Sequence, residues 1–317
     1  MAIYRQSLPQ LQGDLFLGDG GLETILIFHK GFDLPCFASF PLVNDPRGRV
    51  ILEEYYANYL AIAEQFNTGM ILDSPTWRAS QDWGDRLGHS ASVLKDLNQQ
   101  SIQLLEAIRS QWSHLQKPIV ISGCLGPRGD GYQAEARMDV PTAAAYHRPQ
   151  IETFAESNAD LVSAYTLNYI DEALGVVLAA QNTGIPITIS FTVETDGRLP
   201  SGETLEEAIY TIDAATDSYT SYFSINCAHP SHFHSVLTRE ASWVQRIRSI
   251  RANASRLSHA ELDEATELDI GNPLELGQDY QALLATFRQI NVLGGCCGTD
   301  PRHLQAIAAA CASLCSA

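Results

Sequence analysis

Lysine is nearly missing from this chain: Lys30, Lys95 and Lys117 are all that 317 residues contain, the other basic residues being arginines. Positive charge is short overall, with 20 basic against 37 acidic side chains and a formal charge of −17. That balance excludes a phosphate-backbone partner, since nucleic-acid binding is driven by Lys and Arg displacing counterions. No basic amphipathic stretch fits an anionic membrane surface, and no apolar run is long enough to span a bilayer. The opening MAIYRQSLPQLQGD has no apolar signal-peptide core, so a cytoplasmic location is expected. Low-complexity tracts and Pro/Ser-rich linkers are absent too, which predicts one domain over 1–317. A disulfide framework is also unexpected: the seven cysteines are an odd number in a long chain without a secretion signal.

What recurs is an alternation. Short β-branched runs ending in small or polar residues are followed by stretches with helical spacing. The strand candidates are 15–20, 69–74, 118–124, 160–166, 186–194, 221–227, 247–253 and 291–297. Helical patterns include 50–66, 91–112, 142–157, 171–182 and 204–215, and the last helix opens at Thr299-Asp300-Pro301, a good cap with proline at its first position. Eight strands alternating with helices predict a parallel sheet, and eight units in this length predict an α/β fold of the closed (β/α)8 TIM barrel type. The rival dinucleotide-binding sheet wants G-x-G-x-x-G after its first strand, whereas the chain reads Gly18-Asp19-Gly20-Gly21-Leu22-Glu23. The segment 251–273 reads as a long loop after the seventh strand, and long loops on barrels are usually functional.

Barrel chemistry sits at the carboxyl ends of the strands. Those ends carry Asp19, Asp73, Cys124, Tyr165 with Thr166, Glu194, Cys227, Asn253, and Cys296 with Cys297. The sharpest signal is Gly294-Gly295-Cys296-Cys297-Gly298. Adjacent side chains on a regular strand point to opposite faces, so two neighbouring cysteines meet one metal only where the backbone leaves strand geometry. Flanking glycines permit that departure. Cys227, ending Ile225-Asn226-Cys227, supplies a third thiolate across the rim. Three protein sulfurs with an open fourth position is the pattern of a catalytic Zn²⁺. The alternative is three buried thiols; two cysteines among three glycines favour the metal.

The remaining candidates are weighed singly. Cys311 and Cys315 align with Leu304, Ile307 and Ala308 on the last helix and read as core. Cys36 falls in a loop, and Cys124 reads as pocket lining. His229, His232 and His234 read as solvated or capping residues because Pro230 interrupts their run. Asp19 is the strongest carboxylate, since the glycines after it let a ligand approach the backbone; Asp73 and Glu194 follow, with Phe191 as an aromatic wall.

Asp19-Gly20-Gly21 with Thr24, the Ile225-Asn226-Cys227 strand end, and Gly294-Gly295-Cys296-Cys297-Gly298 followed by Thr299 resemble the homocysteine S-methyltransferase family. The resemblance extends in order through Gly123-Cys124-Leu125-Gly126-Pro127, Ser190-Phe191-Thr192 and Gly202-Glu203-Thr204-Leu205. It implies a (β/α)8 barrel with Cys227, Cys296 and Cys297 as zinc ligands, moving a methyl group onto the sulfur of homocysteine to give methionine. It implies a sulfonium or other onium donor, such as S-methylmethionine, S-adenosylmethionine or betaine, and leaves open which one and the oligomeric state; the folate donors of the family belong to larger cobalamin proteins with extra domains for which this chain has no room. Two departures stand out: the family's fourth strand ends in Glu-Thr, that glutamate holding the substrate amino group, and here it is Tyr165-Thr166. The family's second strand ends Thr-Asn-Thr-Tyr, and here it is Ser74-Pro75-Thr76-Trp77.

The partners expected are therefore a small-molecule thiol and a methyl donor. Trp77, Phe191 and Tyr165 are candidate faces for the donor's cation, Asp19, Asp73 or Glu194 for the α-ammonium, and Asn253 for a polar group, with Gly20, Gly21 and Thr24 shaping the site. The scarcity of lysine argues against a Schiff-base aldolase on the same barrel, because Lys117 opens a strand at the opposite rim and Lys30 and Lys95 lie outside the strands. The alternatives are a methyltransferase for another thiol or selenol, and a non-catalytic zinc- or thiol-binding barrel.

Overall fold

A computed structural model of the chain describes residues 2–314. Eight strands close into a barrel, each parallel to the next and β1 hydrogen-bonded to β8: β1 Phe16–Leu17, β2 Gly69–Asp73, β3 Ile119–Leu125, β4 Leu161–Leu167, β5 Ile187–Phe191, β6 Tyr222–Asn226, β7 Ile247–Ala252 and β8 Val292–Gly295. The helices that follow them in turn are α1 Pro46–Phe66, α2 Ala91–Gln111, α3 Val140–Glu156, α4 Ile170–Thr183, α5 Leu205–Thr216, α6 Pro230–Phe233, α7 Pro273–Thr286 and α8 Pro301–Cys311. No helix among the described residues is long and apolar enough to cross a membrane.

Local chemistry sets the helix starts. Asp45, Asp139 and Asp300 accept first-turn amides ahead of a proline at N1 or N2, and Thr204 and Glu207 form a reciprocal capping box on α5. The 251–273 segment is not wholly irregular: Ser258 and Glu261 make a second capping box that nucleates a short helix, His259–Asp263.

Strand alternation sorts the side chains into two layers. Residues of one parity, such as Met70, Leu72, Ile121, Ile189 and Phe191, face the helices and form the main core. Residues of the other parity fill the barrel. At its lower end Phe16, Ile71, Val120, Leu161, Tyr222 and Val292 make an apolar floor, joined by Leu8 from the N-terminal segment. Above that floor, polar residues pair with each other: Ser122 with Ser163 at 2.7 Å, Thr188 with Ser163 at 3.2 Å, and Ser190 with Asn226 at 2.6 Å. At the mouth this parity delivers Asp73, Cys124, Tyr165, Asn226 and Arg251.

Parity also corrects one expectation. Phe191 shares its face with Ile187 and Ile189, is fully buried, and stacks on Phe223 with centroids 6.3 Å apart, so it forms no wall of the barrel mouth. The three lysines all sit in exposed ion pairs, Lys30 with Glu54, Lys95 with Glu156 and Lys117 with Asp14. Cys311 is fully buried on α8, and Cys315 lies outside the described residues.

Candidate metal centre and substrate cavity

The sulfurs of Cys227, Cys296 and Cys297 lie within 4.8 Å of one another at the mouth of the barrel. Two departures from regular strand geometry bring them there. After β6, Cys227 adopts a left-handed backbone with φ 53°, which carries its side chain inward beside Asn226. After β8 the chain turns at once, and Gly298, with φ 77°, completes a turn that a side chain would strain. Backbone amides pin both turns: Cys227 N donates to Arg251 O at 3.1 Å, Cys296 N to Ala252 O at 2.8 Å and Ala254 N to Cys297 O at 3.1 Å.

The Asp-Gly-Gly turn braces the cysteine turn. Gly295 N donates to Asp19 O at 2.8 Å, Gly21 N to Thr299 O at 3.1 Å, and Gly298 N to Thr24 Oγ1 at 3.3 Å. A Cβ on Gly21 would stand 2.6 Å from Cys296 O, so only glycine allows this approach. Asn226 orients the first sulfur: its Nδ2 reaches Cys227 Sγ at 3.2 Å while its Oδ1 is held by Ser190 and by the amide of Thr166.

The sulfurs of Cys227 and Cys296 lie in direct contact, with their Cα atoms 5.3 Å apart. Sulfurs gathered for one cation are also close enough to bond to each other on oxidation. Cys297 keeps its thiol, which burial pushes up to about 11, with the Tyr132 hydroxyl 3.8 Å away. A buried neutral thiol of that kind is neither a ligand nor a nucleophile until a cation compensates its charge. Among the described residues no other group of three metal-ligating side chains is gathered in this way.

The cavity beside the sulfurs is lined by Asp19, Glu23, Asp73, Trp77, Tyr165 and Arg251, with Cys124 and Tyr132 also on its wall. Arg251 dominates its electrostatics. Its Nη1 donates to Asp73 Oδ2 at 2.9 Å, its Nη2 contacts Asp19 Oδ1, and its guanidinium lies 4.9 Å from the centroid of the Tyr165 ring. Burial opposes the charge on Arg251, but Asp19, Tyr165 and Asp73 hold its pKa well above the usual guanidinium range. Burial pushes the Asp73 carboxyl up, against the pull of Arg251. The Tyr165 hydroxyl donates to the same Asp73 Oδ2 at 2.9 Å.

Several residues expected at the site are already engaged. Asp19 and Asp73 are paired to Arg251. Arg78 lies 3.9 Å above the Trp77 ring. Glu194 is outside the cavity, with Oε1 3.3 Å from His259 Nδ1, while His259 Nε2 is 2.6 Å from Cys227 O. Asn253 donates to Cys227 O at 3.0 Å, leaving its buried Oδ1 without a partner. It lines a second cavity under the 251–273 segment, which shares Phe37, Trp77, Tyr132 and Cys297 with the first. Of the histidines, His229 caps α6 and is buried, His232 is buried against Arg256 O at 2.9 Å, and only His234 is exposed.

Arg251, Glu23, Asn226 and Tyr132 escaped the sequence reading. Arg251 was findable: it has the inward parity of Ser249, two residues before Asn253. Tyr132 comes from the long β3–α3 connection, where no periodicity marks it.

The family model for homocysteine S-methyltransferase matches residues 16–311. The chain belongs to the homocysteine S-methyltransferase family. It is thus an S-methyltransferase built on a closed (β/α)8 barrel. Homocysteine S-methyltransferase 1 of Brassica oleracea var. italica is 22% identical, with 95% of each chain covered. Selenocysteine Se-methyltransferase of the same plant is 23% identical over 91% of this chain and 86% of its own. Among solved structures, the homocysteine methyltransferase MmuM from Escherichia coli superposes in its oxidized form with a TM-score of 0.74 at 19% identity, covering 95% of this chain and 99% of that one. Its metallated form gives 0.71 at 18% identity, covering 96% and 98%.

Proposed function

We propose that the protein transfers a methyl group from a sulfonium donor to the thiol of homocysteine, with Zn²⁺ held by Cys227, Cys296 and Cys297. The single observation that carries this reading is the convergence of three sulfurs within 4.8 Å at the mouth of a barrel, beside a cavity lined by Asp19, Glu23, Asp73 and Arg251. The donor set fits the ion: three thiolates suit zinc better than a harder oxygen-seeking cation. When bound, zinc supplies a Lewis-acidic position at which a thiol loses its proton at neutral pH.

The protein's own residues do the remainder. Asn226 and the Asp-Gly-Gly turn fix the positions of the sulfurs. Asp19 and Asp73 set two anions against the one cation of Arg251, and Glu23 adds a third, so the cavity favours a positively charged ligand. In the transfer, the acceptor thiolate attacks the methyl carbon in line and the methyl–sulfonium bond breaks. Its electron pair returns to the donor sulfur, which leaves as a neutral thioether. The thiol proton goes to solvent, and no side chain need act as general base. The second cavity, which shares Trp77, Tyr132 and Cys297 with the first, is where we propose the donor binds.

Incubating reduced, zinc-loaded protein with homocysteine and each donor class, and measuring methionine, tests the reading directly. Methionine formed only with a sulfonium donor supports it; none with any donor refutes it. The similarity to a selenocysteine Se-methyltransferase favours including a selenol acceptor, whose selenolate has the same chemistry.

A further inference from the structure

The cavity at the barrel mouth is lined by three carboxylates, and they are not equivalent. Asp19 and Asp73 are both ion-paired to Arg251, which rises between them from β7. The glycines around Arg251 show that this is built in. A Cβ at Gly18 would stand 2.7 Å from Arg251 Nη1, and one at Gly294 would stand 3.0 Å from its Cγ. The strands on one side of Arg251 have given up their side chains to seat it. Two acids committed in this way face a cation they already hold.

Glu23 is different. It lies two residues beyond the Asp-Gly-Gly turn and lines the same cavity as the sulfurs. Its Oε1 accepts from Ser39 Oγ at 2.7 Å, a neutral partner, and among the described residues no Lys or Arg lies within ion-pair distance of it. The cation whose field reaches it, Arg78, is occupied elsewhere, donating to Gly129 O at 2.9 Å and lying over Trp77. A carboxylate in a largely buried site with no cationic partner is costly unless a ligand supplies the charge.

We infer that Glu23, and not Asp19 or Asp73, is the residue that recognises the ammonium group of the thiol substrate, and so determines specificity for an amino-acid thiol over a simple one. The inference rests on the thiol-transfer reading above and names the contact which that reading leaves unassigned.

The test compares L-homocysteine with 4-mercaptobutanoate, which keeps the thiol, the chain length and the carboxylate and lacks only the ammonium. Binding of each to reduced, zinc-loaded protein is measured by calorimetry, without donor. Wild type should bind homocysteine more tightly. Glu23→Gln should weaken homocysteine by about 10- to 100-fold, the size of a lost charge-assisted hydrogen bond, and leave 4-mercaptobutanoate within about twofold. Glu23→Asp, which keeps the charge, should retain part of the preference. Unchanged mercaptobutanoate binding also reports that the variant is folded. Equal loss for both thiols, or no loss for either, overturns the assignment to Glu23 while leaving thiol transfer standing. A wild-type protein that binds neither thiol overturns the transfer reading and the assignment with it.

Discussion

The hydroxyl of Tyr165 donates to Asp73 Oδ2 at 2.9 Å, and the same oxygen takes Nη1 of Arg251 at 2.9 Å. With Asp19 on the other arm of the guanidinium, four side chains from β4, β2, β7 and the β1 turn form one charged cluster facing the sulfurs. Tyr165 stands where a strand ending Glu-Thr was the family expectation. In this chain that position supplies a hydroxyl to an acid instead of an acid to a substrate.

Arg251→Met should be strongly destabilising, because it leaves Asp19 and Asp73 as two buried like charges. Removing one partner of a buried pair typically costs about 3–5 kcal/mol. The loss should depend on pH with a definite sign. Asp73 already has a raised carboxyl pKa, so the folded state binds its proton more tightly than the unfolded chain. Without Arg251 that tendency grows, and the variant should lose stability as pH rises from mildly acidic to neutral. Denaturant melts at a series of pH values measure this; a variant as stable as wild type at neutral pH contradicts the cluster.

Asp300→Ala removes the cap of α8 and should cost about 1–2 kcal/mol at neutral pH. Although burial raises the Asp300 carboxyl, hydrogen bonds from His303 and Arg302 hold it well below its usual range. A depressed pKa contributes stability above the unfolded value, lost as pH falls through the folded one. The gap between wild type and variant should therefore be full near pH 7 and shrink below about pH 4. Parallel urea titrations at pH 7 and pH 3.5 are the check.

Oxidised protein should take up no zinc, because a Cys227–Cys296 disulfide would tie up two of the three sulfurs gathered at the mouth. Reduction returns two thiols per chain and should restore uptake of about one zinc per chain. Thiol titration and metal analysis before and after a phosphine reductant decide it. Stoichiometric zinc on fully oxidised protein would require other ligands.

Cys311→Ala should leave turnover nearly untouched at a stability cost of about 1 kcal/mol, since the residue is buried in the α8 core. Cys297→Ser should remove turnover and most zinc affinity while the melting temperature changes little. Wholesale unfolding of that second variant would point to a structural site.

Most of the barrel was legible because its signal is periodic. All eight strand candidates overlap observed strands, even β1, whose ladder is only Phe16–Leu17. The three cysteines were legible because glycines and paired cysteines mark a backbone leaving strand geometry. The ion pairs across the mouth were not. Arg251 reads as an ordinary strand residue until register places Asp19 and Asp73 opposite it, and Glu23 reads as the first turn of a helix. The short helix at His259–Asp263 did carry a signal, Ser258 with Glu261 three residues later, inside a stretch otherwise read as loop.

The most direct test is X-ray absorption at the zinc edge of reduced, zinc-loaded protein before and after adding homocysteine. Three sulfur neighbours that become four on adding the thiol are the predicted result. A first shell with fewer than three sulfurs, or one that ignores homocysteine in a protein that still makes methionine, would contradict it.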